Sequence, residues 1–579
     1  MAGPAWKQCL ARLAPEGALA WSRYLKRFLN SMGNSGLAWS RLQLPAPAPQ
    51  PRPLKVLIAT SAGGHFTALN VESVLAAALT VRGHKVQALL CDGILPACIE
   101  TVHALYPTPS RRASLVRFGP KELCVSCTRP GAAHYARLGI DVLFYSRFLT
   151  PEEQQEAERT ASSIPLSEIP AYAIDGVRVG ESALSGMLRF LARAELSGEP
   201  YEEELLRRYF AASLLTYFAM YRLLEAGAYD VCVLNHGIYV PQGVVAEVCR
   251  RKGVRVVTWN PAYRKGCFIF SHDDTYHHTL MDEPPSTWAD IAARPGVLDA
   301  IDQYLVSRER GDNDWIKFHS DPNFHAADYM ARIGVRDDRP MVLLLTNVAW
   351  DAQLHYPANA FPNMMEWIRA TVRWFADRPD LQLVIRVHPA EISGNVPSRQ
   401  RVAESLGTEF PALPPNVKII PPQDTISTYA LAAKADCALI YGTKMGVELS
   451  ARGMPVIVAG EAWVRGKGFT IDCSDRDDYF RALERLPMRW QLPAQDIERA
   501  KAYAFHFFYR RMIPVPFMHS RPGWPSMMPA LHALDDLSPG RCEGLDVICD
   551  GIVLGSPFVF EAERHVASDA GTIMPADAH

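Results

Sequence analysis

Two short apolar runs that stop abruptly at polar residues constrain this chain most. Residues 384–388 read Val-Ile-Arg-Val-His and run into Pro389; residues 438–441 read Ala-Leu-Ile-Tyr and run into Gly442, Thr443 and Lys444, after which a helical pattern opens at Met445. Short apolar runs with such endings are strands buried on both faces, which belong to parallel sheets covered by helices. In open α/β sheets, ligands bind just outside the carboxyl ends of the strands. Strand ends carrying Arg386, His388, Thr443, Lys444 and, one turn into the helix, Glu448 describe a pocket for an anionic, hydroxyl-rich ligand. A nucleotide-sugar is such a ligand.

The same strand-and-helix alternation occurs twice. Five prolines within residues 45–53 make a stiff linker that excludes helix interior. After it, 55–60 reads as a buried strand, 61–65 as a glycine turn, 67–81 as a helix ending at Gly83, and 85–90 as the next strand. Further strands are expected at 141–144, 231–234 and 254–259, with helices near 180–196 and 202–226. Residues 271–340 read as polar and irregular. A second set of strands follows at 341–346, 381–387, 417–420, 438–441 and 455–458, with helices at 363–375, 425–433, 445–452, 476–486 and 494–512. The expected organisation is an extension over 1–53, a first Rossmann-like lobe over 54–335 and a second over 336–513. A tail over 514–579 stays unassigned.

Composition narrows the function classes. A formal net charge of −2 argues against a nucleic-acid binder, and no apolar run reaches the length of a membrane-spanning helix. No secretory leader is recognisable, so the twelve cysteines read as reduced thiols of a cytoplasmic protein. Residues 1–55 hold eight Lys and Arg against Glu16 alone, interleaved with Trp6, Trp21, Tyr24 and Phe28. That is the composition of a basic helix at a membrane surface, and peripheral contact through residues 1–53 is expected; a helix packed on the protein itself is the alternative.

Arg386 and His388 occupy alternate strand positions and share a face, where a cation and an imidazole suit a phosphate. Thr443 and Lys444 stand at a helix start, where backbone amides favour anions. Gly446 admits close approach of a ligand, and Glu448 suits ribose hydroxyls. Thr443 as a plain cap and Glu448 as a first-turn acid are the alternative, which leaves Lys444 unexplained.

Residues 386–391, 424–427, 441–448, 452–458 and 467–470 together resemble the capsule polysaccharide biosynthesis proteins, a family that includes the Kdo transferases of capsule assembly. The chain resembles more loosely the bacterial sialyltransferases with a His-Pro motif and the teichoic-acid glycerophosphotransferases. The likeness runs over about 340–475 and more loosely over 54–280. His388 and Pro389 match the His-Pro motif; Thr443 stands where a Ser-Ser or Ser-Thr pair is usual, flanked here by Gly442 and Lys444. The resemblance implies a two-lobed GT-B glycosyltransferase with an interlobe cleft, whose second lobe binds a nucleotide-sugar, often CMP-linked. The acceptor implied is a surface or capsular polysaccharide or a glycolipid. A CDP-alcohol phosphotransferase on the same scaffold and a non-catalytic assembly partner are the alternatives.

In the first lobe, Gly63, Gly64 and His65 follow the first strand, where such enzymes keep a glycine loop facing the cleft. His65 is the expected general base, since an imidazole with a pKa of about 6.5 suits removal of a hydroxyl proton; a helix N-cap turn whose histidine touches solvent is the alternative. His236 and Asp273 are reserves; Asp273, Asp274, His277 and His278 form a polar cluster that reads as a base, a metal site or a solvated loop. Asn235 and Tyr239 are expected to hold the acceptor. The nucleotide pocket offers cations in place of a divalent metal, so catalysis is expected to need no cofactor. Cys91, Cys98, Cys124 and Cys127 are a candidate structural zinc set, with buried thiols as the alternative.

Overall fold

In the computed structural model the described residues are 44 and 49–566, apart from 312–313, 316–321, 352, 395, 521–525 and 532. Almost all of the basic extension, and the end of the tail at 567–579, lie outside them.

The first lobe is built on β1 (Lys55–Ser61), β2 (Lys85–Leu90), β3 (Asp141–Phe144), β4 (Val231–Asn235), β5 (Arg255–Pro261) and β6 (Cys267–His272). The second uses β7 (Met341–Leu345), β8 (Gln382–Arg386), β9 (Val417–Ile420), β10 (Cys437–Ile440), β11 (Val456–Val458) and β12 (Ile471–Asp472). The chain then returns to the first lobe with β13 (Ile513–Pro514). The sheet orders are β13-β6-β5-β4-β1-β2-β3 and β12-β11-β10-β7-β8-β9. The second sheet is parallel throughout; the first ends in antiparallel β6 and β13. These are the two Rossmann-like lobes of GT-B type that the sequence implied.

In both lobes the first strand sits centrally and the winding reverses beside it. The switch points lie between β1 and β4 and between β7 and β10. Such points leave a crevice at the strands' carboxyl ends. The strands are apolar on both faces because helices cover both: Val56, Leu57, Ile58 and Ala59 are at most 2% exposed. The helix Phe66–Val81 is buried nearly all round and so carries no amphipathic stripe. Beyond it Gly83, at φ +90°, takes the left-handed turn that ends the helix.

Residues 271–340 are more ordered than their polarity suggested. They hold helices Tyr276–Asp282, Val297–Arg310 and Ala326–Arg332. In the second of these Val297, Ala300, Ile301, Tyr304 and Leu305 form a buried stripe at helical spacing, which the many charges between them obscure. This helix and Ala494–Phe505 carry one continuous apolar core from a face of the first sheet to a face of the second. The described residues within 514–566 complete the first lobe: the helix Glu543–Leu554 packs on β13, β4 and the helix Phe66–Val81.

Candidate functional site

A cavity of about 480 Å³ opens at the carboxyl ends of the second sheet's strands, within the size range of small-ligand sites. Asn347 follows β7, His388 follows β8, Thr443 and Lys444 follow β10, and Glu461 follows β11; all line it. Tyr263 and Tyr276 from the first-lobe side, with Trp463, supply aromatic walls. The two motifs that open the sequence analysis thus meet across the switch point.

A charged network forms the cavity floor. Lys444 Nζ donates to Glu448 Oε1 at 2.9 Å, Arg308 reaches the same oxygen at 3.2 Å, and the Tyr429 hydroxyl donates to the other. Arg308 also pairs with Asp314 at 2.7 Å. Glu448 is 0% exposed. Burial alone would raise its pKa, but Arg308, Lys444 and the hydrogen bonds prevail and hold it at about 2. Burial, together with the neighbouring Arg308, lowers Lys444. Its ammonium lies 5.2 Å from the Tyr263 ring centroid.

Three expectations change here. Glu448 lies beneath the cavity with both oxygens engaged by protein groups, so it holds Lys444 and Arg308 in place instead of meeting ribose. Gly446 is bare for packing: a Cβ there would stand 2.6 Å from Ile440 Cδ1 and 2.9 Å from Val464 Cγ2. The helix Met445–Ser450 has only 6 residues, too short for a strong dipole; Thr443 Oγ1 accepts from the Met445 amide at 3.4 Å.

His388 Nδ1 accepts from the Ala390 amide at 3.0 Å. In the neutral ring this puts the proton on Nε2. Its own amide donates to Thr346 Oγ1 at 2.9 Å, tying β8 to β7. Arg386 lines the cavity and donates to the carbonyls of Pro421 and Asp424 at 2.8 Å each. The guanidinium clamps that loop, and burial lowers its pKa despite nearby Asp424.

The first lobe's switch point is turned inward. Asn235 is 3% exposed; its amide group donates to the Trp259 carbonyl at 2.9 Å, and its backbone N–H to Thr60 Oγ1 at 2.7 Å. Thr60 and Trp259 both donate to buried Glu72, whose pKa burial raises to about 8 against these hydrogen bonds. Asn235 therefore locks β1, β4 and β5 and offers no acceptor contact. His65 Nδ1 accepts from the Ala68 amide at 3.1 Å, which makes it the N-cap of the helix Phe66–Val81. His65 does not line the cavity. Asp273, at φ +55°, is a turn residue whose carboxylate accepts from the Val256 amide at 3.0 Å. That is the amino end of β5, away from the ligand-binding edge.

Tyr239 bridges the lobes. Its hydroxyl donates to Asp351 Oδ1 at 2.7 Å, and Asp351 lines the cavity. His236, in the left-handed region at φ +63°, lies near the same carboxylate; burial lowers its pKa and Asp351 opposes that. His277 Nε2 donates to the Glu461 carbonyl at 2.6 Å, and the ring stacks on Tyr356 at 4.1 Å. Burial pushes its pKa down to about 3, so the ring is neutral. His278 differs: its ring nitrogens contact Asp274 and Glu461, each at 3.1 Å. Burial lowers its pKa, but the two carboxylates raise it to about 10. Asp274, His278 and His355 bring ligand atoms within 4.8 Å of one another, in a grouping that His278 occupies as a cation. The four cysteines expected to group together line one small pocket in the first lobe.

Arg308, Asp351, Tyr356, Glu461 and Trp463 are cavity residues that the sequence did not single out. Glu461 follows the strand expected at 455–458, so the same strand-end signal would have found it. Arg308 sits on the helix hidden in the polar stretch. Asp351 lies on a loop whose path no local pattern fixes.

Residues 318–491 match the family model described as capsule polysaccharide biosynthesis protein. This span contains His388, Thr443, Lys444 and Glu461. No curated protein sequence matches the chain. Among solved structures, the chain is similar to the beta Kdo 2,4 transferase of Thermosulfurimonas dismutans KpsC, at 14% identity over 47% of this chain and 79% of that one, with a TM-score of 0.29. The beta Kdo 2,7 transferase of the same KpsC is 14% identical over 55% and 88%, with a TM-score of 0.30. The UDP-GlcNAc 2-epimerase from Neisseria meningitidis is 10% identical over 78% and 96%, with a TM-score of 0.21. Among the described residues no helix is long and apolar enough to cross a membrane.

Proposed function

We propose that this protein is a glycosyltransferase that moves a sugar from a nucleotide-sugar, CMP-linked in our reading, to a polysaccharide or glycolipid acceptor of capsule type. The observation that carries the reading is the cavity itself. It stands at the switch point of the second sheet, and the strand-end residues His388, Thr443, Lys444 and Glu461 fall within the span matched by the capsule family model. The nucleotide lies against the second lobe, with Lys444, the His388 Nε2–H and the Thr443 hydroxyl serving the phosphate. Tyr263, Tyr276 and Trp463 offer faces for the base or the sugar ring. Arg308 and Lys444, fixed by Glu448, give the departing phosphate a preorganised positive environment, so no divalent metal is needed for the transfer step. Asp351, oriented by the Tyr239 hydroxyl, is the carboxylate on the cavity wall suited to take the acceptor's proton. The basic segment 1–53 brings the enzyme to an anionic membrane face where a lipid-linked acceptor is presented.

The test is a thermal-shift panel of CMP, CDP, UDP, GDP and dTDP, followed by release of nucleotide from the matching sugar donor. A ligand at about 100 times its Kd adds about 2.7 kcal/mol of stability. Stabilisation by CMP that Lys444→Met and His388→Ala abolish supports the reading. A panel in which no nucleotide stabilises the chain overturns it; preference for another base overturns the CMP assignment alone.

A further inference from the structure

Beside the cavity, three side chains from the two lobes converge. Asp274 follows β6, His278 lies on the helix Tyr276–Asp282, and His355 ends the short helical turn Gln353–His355 after β7. His278 Nδ1 stands 3.1 Å from both carboxylate oxygens of Asp274, and His355 Nε2 stands 3.8 Å from Asp274 Oδ1. One ligand atom from each residue lies within 4.8 Å of the other two, and among the described residues no other set of His, Cys, Asp and Glu side chains does this.

The surroundings hold these groups in place. The Thr275 amide donates to Asp274 Oδ1 at 2.6 Å, and the Thr275 hydroxyl caps the helix that carries His278. The far nitrogen of each imidazole faces a carboxylate: His278 Nε2 is 3.1 Å from Glu461 Oε2, and His355 Nδ1 is 4.0 Å from Glu181 Oε1. Glu461 is itself fixed, since its Oε1 accepts from the Ala358 amide at 2.5 Å. Metal-binding histidines are oriented in this way, with the second ring nitrogen directed at a carboxylate. His355 Nε2 is buried and has no hydrogen-bond partner. Buried polar atoms are seldom left in that state unless something meets them there.

We propose that Asp274, His278 and His355 bind a divalent transition metal of the zinc class, which ties the loop after β7 to the first lobe beside the cavity. Ligand atoms on a tetrahedral zinc at ~2.1 Å stand about 3.4 Å apart, and the 3.1 and 3.8 Å spacings straddle that value. The Asp274 side chain is half exposed, so the ion enters from solvent and completes its shell with water. Two imidazoles favour zinc, cobalt or nickel over magnesium and calcium, which take oxygen ligands. In the metal-free chain His278 is the cation described above. As the metal–Nδ1 bond forms, the Nδ1 proton leaves to solvent, while Nε2 keeps its proton and donates it to Glu461. The ion positions the cavity wall and takes no direct part in sugar transfer. Asp274, His278 and His355 do not line the cavity, whereas their sequence neighbours Tyr276, His277, Asp351 and Tyr356 do.

The experiment is metal analysis and cobalt(II) spectroscopy on the untagged full chain, with magnesium as the control ion. After equilibration with zinc and removal of the excess, the chain should retain zinc near one per chain and no magnesium. Cobalt(II) should give the visible bands of an ion with four or five ligands that include imidazole nitrogen. Asp274→Asn and His355→Gln should each lose both signals while the circular dichroism stays native. Glu461→Gln should weaken zinc binding by about 10–100-fold, the loss that an outer partner of a ligating histidine gives. His519→Gln, which alters an exposed histidine on the strand Met518–Ser520, should change nothing. A native chain that retains no zinc, or that leaves cobalt(II) with the spectrum of the hydrated ion, overturns the proposal, and this holds even where a variant folds poorly. So does a zinc content that Asp274→Asn and His355→Gln leave intact. Neither signal depends on turnover, so their failure leaves the glycosyltransferase reading to its own nucleotide panel.

Discussion

Glu448 gives the sharpest quantitative test of the site. The carboxylate is wholly buried and shared by Lys444 at 2.9 Å, Arg308 at 3.2 Å and the Tyr429 hydroxyl. Removing one member of such a group leaves uncompensated charge in a dry place, which costs about 3–5 kcal/mol. Arg308 keeps Asp314 as a second partner, so the larger share falls on Lys444. At about 2–4 °C per kcal/mol for a lobe of this size, Glu448→Ala should lower the midpoint of thermal unfolding by about 6–20 °C. Glu448→Gln preserves shape and the bond to Tyr429 but removes the charge, and should cost nearly as much. Tyr429→Phe removes one hydrogen bond and should cost about 1–2 kcal/mol. Scanning calorimetry and guanidinium titration, both without ligand, measure these differences. The folded pKa of about 2 lies below the ordinary carboxylate value of 4.5. The stabilisation is thus fully present above about pH 4.5 and lost as the pH falls towards 2, and Glu448→Gln should flatten that acid limb. If Glu448→Ala keeps the native midpoint and loses only nucleotide binding, the carboxylate meets ligand and the buried-network reasoning fails.

Two further outcomes separate roles in the first lobe and between the lobes. Asp351→Asn should lower kcat by ~10²–10⁴-fold, whereas His65→Ala should cost about 1 kcal/mol of stability as a lost N-cap and leave kcat near normal; the opposite pattern in a steady-state assay would return the base to His65. His278 has a folded pKa of about 10 against an ordinary 6.5, so its contribution is full below about pH 6.5 and lost as the pH rises through 10. His278→Gln should remove that alkaline loss from a pH series of unfolding midpoints, and an unchanged alkaline limb would refute the interlobe bridge to Glu461.

The alternation of strand and helix was legible because buried parallel strands are apolar throughout and end sharply, as at Arg386 and Ile440. The cavity's position was legible for the same reason: His388, Thr443 and Lys444 stand at those ends and line it. Glu448 and Gly446 were misread because sequence spacing gives the helix face but not what packs on it. In space that face meets Arg308, Ile440 and Val464, two of which are distant in sequence. Asn235 and His65 sit at the expected strand ends, yet their hydrogen-bonding groups are engaged by Trp259 and Ala68. A strand end is therefore a place where a site can form, and its local bonds determine whether side chains face ligand or protein.

That distinction makes the two lobes unequal partners. At the first switch point Thr60, Glu72, Asn235 and Trp259 satisfy one another in a buried polar knot, and polar groups so paired have little left for a ligand. At the second, Thr443 and Lys444 line the open cavity. On the proposed function, the acceptor side of the cavity then comes from segments that cross between the lobes. Such segments are present: Asp351 reaches from the second lobe to Tyr239, Tyr276 and His278 come from the stretch after β6, and Lys467 donates to the carbonyls of Met281 and Glu283 at 2.8 Å each. These ties and the shared core around Val297–Arg310 couple the cavity wall to the second lobe, so under the proposed function loosening an interlobe contact should raise the KM for acceptor more than that for donor. Tyr239→Phe, which frees Asp351 while leaving the ring in place, is the substitution in which that split is largest.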